Sequence, residues 1–111
     1  AYNANPVSMS NSVRNFRNIS DENHLLILGD MKELGDESLN EHQEILNLVK
    51  ELGFNNVILV GSEFNKVNNE FVSFLNVEEL INHINNNEIR GKKILIKGSH
   101  SIHLEKIINL L

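Results

Sequence analysis

Leu25-Leu26-Ile27-Leu28-Gly29-Asp30-Met31-Lys32-Glu33-Leu34-Gly35 is the stretch on which the fold turns. Consecutive aliphatic residues without alternation read as a strand buried on both faces, the pattern of a parallel sheet. The strand stops at a glycine followed by an acid. The same punctuation recurs at Val57-Ile58-Leu59-Val60-Gly61-Ser62 and at Ile94-Leu95-Ile96-Lys97-Gly98-Ser99. Segments of helical periodicity lie between these runs. The alternation predicts an α/β fold, a Rossmann-like three-layer sandwich whose mostly parallel sheet is flanked by helices on both faces. Ligands of such sheets gather at the carboxyl edge of the strands, so the glycine-ended loops mark the working rim.

Working outward, Asn5-Pro6 predicts a helix start, with Asn as N-cap and Pro at the first helical position. Met9, Val13 and Phe16 then share one face, and the helix fades over 18–21. Ser38-Leu39-Asn40-Glu41 reads as a capping box. The helix it opens carries Ile45, Leu48, Val49 and Leu52 on one side and stops at Gly53. Residues 61–69 allow one short helical turn, and 71–75 a short edge strand. Asn76, with Glu79 three residues on, caps a helix striped by Val77, Leu80, Ile81 and Ile84. After strand 93–97, a last helix should start near 99–101 and face Leu104, Ile107, Ile108 and Leu111 inward. A strand should also precede Pro6, with only its last residues present.

At 111 residues the chain fits one domain, and 41% hydrophobic with 23% charged residues is globular composition. The net charge of −5 and the scattered lysines and arginines argue against a nucleic-acid partner. There is no cysteine, hence no disulfide framework or thiolate metal site. No apolar run approaches the ~20 residues of a membrane span, and no signal-peptide pattern opens the chain. A cytoplasmic location fits these features. The asparagine tracts, such as Asn85-Asn86-Asn87, sit within patterned segments and read as compositional bias. The opening at Ala1 rather than Met suggests a piece of something longer.

Tyr2-Asn3-Ala4-Asn5-Pro6, then Gly29-Asp30-Met31-x-Glu33-Leu34-Gly35 with Ser38 and His42, then Lys97-Gly98-Ser99, resemble in order and spacing the C-terminal domain of the Mur ligases. The resemblance spans nearly the whole chain. It implies that residues 1–111 are the C-terminal domain of a three-domain cytoplasmic enzyme of peptidoglycan synthesis. It further implies ATP and Mg2+ as cofactors, held mainly by a central P-loop domain of the same polypeptide. The implied substrates are UDP-N-acetylmuramoyl-tripeptide and D-Ala-D-Ala. ATP would phosphorylate the tripeptide carboxylate, and the dipeptide amine would attack the acyl phosphate. No Gly-x-x-x-x-Gly-Lys-Ser/Thr run exists here. The isolated chain is therefore expected to be inactive, with no cofactor or metal of its own and no catalytic residue. Two alternatives stay open. One is a sister ligase with a different amino substrate. The other is a free-standing flavodoxin- or receiver-like small-ligand module, although a receiver needs an acidic cluster and only Asp30 is so placed.

The candidate nucleotide-binding residues are Tyr2, Asn3 and Asn5, at a strand-to-helix junction where free N–H groups favour anions. The competing role for Asn5 is a simple cap, and for Tyr2 simple packing. The candidate substrate-binding residues are Asp30, Lys97, Gly98, Ser99, His100 and Ser101. Asp30 can hold an ammonium or order its own loop. Lys97 can pair with a carboxylate or phosphate, with the Ser99 and Ser101 hydroxyls beside it. The competing role for one serine is N-capping. Relatives often carry Arg where this chain has His100, which is shorter and only partly charged near neutral pH. His42 falls on the apolar face of its helix and reads first as a satisfied structural histidine. His100 and His103 lack a third ligand to complete a metal set.

Overall fold

A computed structural model describes residues 4–19, 23–68, 70–90 and 92–111 of the chain. Helix α1 is Pro6–Ile19, strand β1 His24–Gly29, helix α2 Ser38–Glu51 and strand β2 Val57–Val60. Helix α3 is Ser62–Val67, strand β3 Val72–Phe74, helix α4 Val77–Asn86 and strand β4 Lys93–Lys97. Short 3₁₀ segments cover Gly35–Glu37, His100–Ile102 and Leu104–Leu110. The expected strand before Pro6 falls on residues 1–3, which lie outside the described residues.

The sheet has four strands in the order β3-β2-β1-β4. Every pairing is parallel, with Leu28 opposite both Leu59 and Lys97. Each crossover must therefore carry the chain back over a face of the sheet, and the period of two along each strand serves both faces. Leu26, Leu28, Val57 and Leu59 face one core, which Met9 and Val13 of α1, Ile45 and Val49 of α2 and Phe64 of α3 complete. Leu25, Ile27, Ile58 and Val60 face the other, closed by Leu80 and Ile84 of α4 and by Leu104 and Ile107. The three-layer sandwich thus stands as read from the aliphatic runs, with the sheet parallel throughout. No helix among the described residues is long and apolar enough to cross a membrane.

Local capping follows the sequence at two helices and departs from it at a third. Asn5 Oδ1 accepts the Ser8 N–H at 2.9 Å while Ser8 Oγ accepts the Asn5 N–H at 3.1 Å, a reciprocal box with serine in the place of Glu. Asn76 Oδ1 accepts the Glu79 N–H at 2.9 Å, and Glu79 reaches back to the N–H of Leu75, also at 2.9 Å. The box expected at Ser38 does not form. The 3₁₀ turn Gly35–Glu37 runs directly into α2, so the Ser38 N–H bonds to the Gly35 carbonyl and its hydroxyl is directed elsewhere.

The last helix is also different from expectation. It is a 3₁₀ segment, with three residues per turn. That spacing keeps Leu104 and Ile107 on the buried side and rotates Ile108 and Leu111 away, to 50% and 38% exposure.

Candidate functional site

The carboxyl rim of the sheet is knitted together by Asp30, the residue that follows β1. Its N–H donates to the Val60 carbonyl at 3.0 Å, and its own carbonyl accepts the Ser99 N–H at 2.9 Å. Its carboxylate accepts the N–H groups of Glu63 and Phe64, each at 2.9 Å, and so caps α3. The side chain is fully buried. Burying a carboxylate is costly, and here two charge-assisted bonds from a helix start offset the lost water. Asp30 was expected to hold a substrate ammonium or to order its own loop; here both oxygens are buried and bonded to backbone N–H groups, the geometry of the loop-ordering alternative.

Gly61 makes room for that carboxylate. It has φ +128°, and a Cβ added there would overlap the Asp30 carboxyl group. Glycine alone combines this backbone with the absence of a side chain.

His42, fully buried in α2, supports the same loop from below. The Met31 N–H donates to His42 Nε2 at 3.0 Å, so the ring proton sits on Nδ1, which lies 2.7 Å from the Ser38 carbonyl. With that tautomer the 3.9 Å approach of Nε2 to Asp30 Oδ1 is acceptor against acceptor, not an ion pair. The Phe64 ring packs edge-on against the imidazole at 4.6 Å. Ser38 Oγ donates to Glu63 Oε1 at 2.7 Å, and Lys66 Nζ donates to Oε2 at 2.9 Å. The Ser38 hydroxyl first, then Lys66, pull the Glu63 carboxyl down to about 2.

Gly98 was expected among substrate contacts and instead lies beneath the rim. A Cβ on it would stand 2.8 Å from Leu104 Cδ1 and 2.9 Å from Gly29 Cα. The two strand-ending glycines let β1 and β4 approach under Leu104. Their small size serves packing.

Above this floor opens a cleft of about 620 Å³, lined by Asn5, Lys32, Glu33, Ser99, His100, Ser101 and His103 with Ala4. The structure brings Asn5, of the nucleotide-binding candidates, together with Ser99, His100 and Ser101 of the substrate-binding ones. Lys97 is half-buried at the end of β4, opposite Leu28, and is not among the residues that line the cleft. Tyr2 and Asn3 lie outside the described residues. The Ser99 and Ser101 hydroxyls stand 3.1 Å apart, and Ser99 does not cap its turn through its side chain. The Ser99 N–H is already held by Asp30, so an anion here would meet hydroxyls and side-chain cations rather than that amide.

Four lining residues were absent from the candidate set: Ala4, Lys32, Glu33 and His103. Lys32 Nζ lies 3.9 Å from Asp30 Oδ2 and its side chain is 41% exposed. Glu33 and His103 both have left-handed backbones, φ 63° and 61°, although neither is glycine. Such conformations carry strain and concentrate at functional positions. His103 Nδ1 is 3.3 Å from Glu105 Oε1. The Glu105 carboxyl is held below its ordinary range, first by its own backbone N–H and then, against desolvation, by His103. A sequence signal existed for Lys32 and Glu33, which interrupt the buried loop between Met31 and Leu34. None existed for the twist at His103. The cleft presents one lysine, two imidazoles and two hydroxyls beside a single glutamate, a lining suited to a carboxylate or phosphate with a nearby amine. Among the described residues no group of three or more His, Cys, Asp or Glu is placed to hold a metal ion.

Residues 1–100 match the profile of a protein family described as Mur ligase, glutamate ligase domain. The UDP-N-acetylmuramoyl-tripeptide--D-alanyl-D-alanine ligase of Rickettsia prowazekii is 36% identical over 116 residues, covering 97% of this chain and 25% of the relative. The enzyme of the same name from Buchnera aphidicola (subsp. Acyrthosiphon pisum) is 34% identical over 112 residues, covering 96% of this chain and 24% of its own length. The chain thus spans about a quarter of the length of these curated relatives. Among solved structures, MurF from Acinetobacter baumannii superposes with a TM-score of 0.77 at 28% identity, over 98% of this chain and 25% of that one. MurF ligase from Thermotoga maritima in complex with ADP gives 0.78 at 19% identity over 99% of this chain and 26% of that one, a likeness of fold alone.

Proposed function

The chain belongs to the Mur ligase family, as its glutamate ligase domain, and from that premise we propose that it is the C-terminal domain of a ligase that joins D-Ala-D-Ala to UDP-N-acetylmuramoyl-tripeptide in the cytoplasm. The single observation that carries the reading is the 36% identity to an enzyme of that name across 97% of the chain. The rim geometry supports it. Lys32, His100, His103, Ser99 and Ser101 line one cleft at the carboxyl edge, where a dipeptide carboxylate meets both charge and hydroxyl donors.

In this reading the domain binds and orients the amine substrate. Asn5 contributes to nucleotide binding, the role that the resemblance also gives Tyr2 and Asn3. ATP with Mg2+, held chiefly elsewhere in the polypeptide, would supply activation of the tripeptide carboxylate. The chain's own contribution is to hold the dipeptide by its anionic end, leaving the amine free to point out of the cleft. Lys97, at the end of β4, is the second cation of this reading. Orientation of this kind turns a bimolecular encounter into a near-unimolecular one.

The test is ligation by the full-length enzyme. ADP release should depend on both UDP-N-acetylmuramoyl-tripeptide and D-Ala-D-Ala. Turnover with a single amino acid in place of the dipeptide would transfer the assignment to a sister ligase. Lys32→Ala should raise KM for D-Ala-D-Ala about tenfold, as expected for one lost charge-assisted contact.

A further inference from the structure

We propose that His42 is a positioning residue, which acts on the substrate cleft through the peptide N–H of Met31; the inference rests on the function proposed above. The loop between β1 and α2 has two ends of different character. Asp30 is tied to β2, α3 and Ser99 by its backbone and carboxylate. Met31 is 1% exposed and its N–H has one acceptor, His42 Nε2 at 3.0 Å. The next two residues, Lys32 and Glu33, line the cleft, and Glu33 is held in the left-handed region. A strained residue keeps its conformation only where its neighbours over-determine it. Met31 stands two residues before Glu33, and its N–H is fixed by the imidazole.

The ring itself has little freedom. Nδ1 bonds to the Ser38 carbonyl at 2.7 Å, and the Phe64 ring closes one side at a centroid distance of 4.6 Å. A plain core histidine would use its nitrogens to satisfy itself. This one spans two elements, joining the start of α2 to the loop that delivers Lys32. Removing the acceptor leaves a buried N–H without a partner, and the loop must turn to find one. Lys32 and Glu33 would move with it, although neither touches His42 in any hydrogen bond.

Two isosteric substitutions separate the two ring nitrogens. His42→Gln places an acceptor near the Nε2 position and keeps the Met31 bond. His42→Asn places a donor near the Nδ1 position, keeps the Ser38 bond and leaves Met31 unpaired. Both are read in the full-length enzyme. His42→Asn should raise KM for D-Ala-D-Ala about tenfold or more with kcat less affected, and His42→Gln should restore KM to within about threefold of the parent. Amide exchange over 29–35 should be fast in His42→Asn and slow in His42→Gln. Where His42→Asn does not fold, an ester at residue 31, made with the α-hydroxy acid of methionine, removes the same N–H and should show the same rise in KM and exchange.

Equal KM values and equal exchange in the two variants would overturn the inference. Exchange is read without turnover, so it decides the role of His42 even if the wild-type enzyme does not ligate D-Ala-D-Ala. Absence of that ligation by wild type, in turn, rejects the functional reading alone.

Discussion

The carboxylate of Asp30 occupies the space that a side chain at residue 61 would need. Gly61 closes β2 and Asp30 follows β1, so the two neighbouring strands end in an interlocking pair. Asp30 then caps the helix that Gly61 begins. The glycine, the acid and the short helix α3 are one unit, and each is placed by the other two.

Gly61→Ala should be the most disruptive small substitution on the rim. It combines φ +128° with overlap onto a buried carboxylate. A loss of about 3 kcal/mol or more is expected from strain and overpacking together. Urea unfolding of the wild type and the variant measures it.

Asp30→Asn keeps the shape and removes the charge. One oxygen can still accept an N–H, while the amide NH₂ confronts the second donor. About 2 kcal/mol should be lost. The near-ultraviolet circular dichroism of the folded variant should be unchanged, since the packing around Phe64 is retained.

Gly98→Ala brings a methyl against Leu104 and the Gly29 backbone. We expect a loss of about 1–3 kcal/mol. Adding Leu104→Ala removes one of the two clashes, so the double variant should lose less than the sum of the singles. A double-mutant cycle of melting temperatures reads this directly.

Glu63 links stability to acid. Its folded carboxyl titrates at about 2 against an ordinary 4.5. A depressed folded value contributes stability that is fully present above 4.5 and disappears as pH falls through about 2. The stability difference between wild type and Glu63→Gln should therefore be constant near neutrality and shrink between pH 4.5 and 2. Denaturant titrations at stepped pH test it; a difference independent of pH over that range would contradict the assignment.

Asn5→Ser separates the cap from the cleft. Serine is as good an N-cap as asparagine, whereas Asn5→Ala loses about 1 kcal/mol. If Asn5 faces nucleotide as proposed, Asn5→Ser keeps the melting temperature and raises the KM for ATP in the full-length enzyme. An unchanged KM in both variants would leave the residue as a cap only.

The strands were legible because unbroken aliphatic runs have one inexpensive home, the middle of a parallel sheet. Asn76 was legible as a cap because everything it needs lies within three residues. The glycine-plus-acid signature located the rim but not the direction of the Asp30 side chain. That direction is set by Gly61 and α3, more than thirty residues away, through contacts no local pattern encodes. Ser38-x-x-Glu41 satisfied a capping motif, yet the preceding 3₁₀ turn supplied the helix start by backbone alone. Apolar residues at 104, 107, 108 and 111 fit an α-helix as well as a 3₁₀ segment over the first turn, so the pattern alone did not decide between them. Lys97, Gly98 and Ser99 follow one another at the carboxyl end of β4, but their division between floor and cleft depended on which backbone amides the sheet itself required.

The knitting of the rim by Asp30 has a thermodynamic consequence for capture of a ligand. Its N–H, its carbonyl and both carboxylate oxygens are bonded within the domain before any ligand arrives. The conformational entropy of ordering this loop is therefore lost during folding, and association does not have to supply it again. Affinity for a small, highly hydrated guest then depends on pre-aligned groups meeting it rather than on a chain wrapping around it.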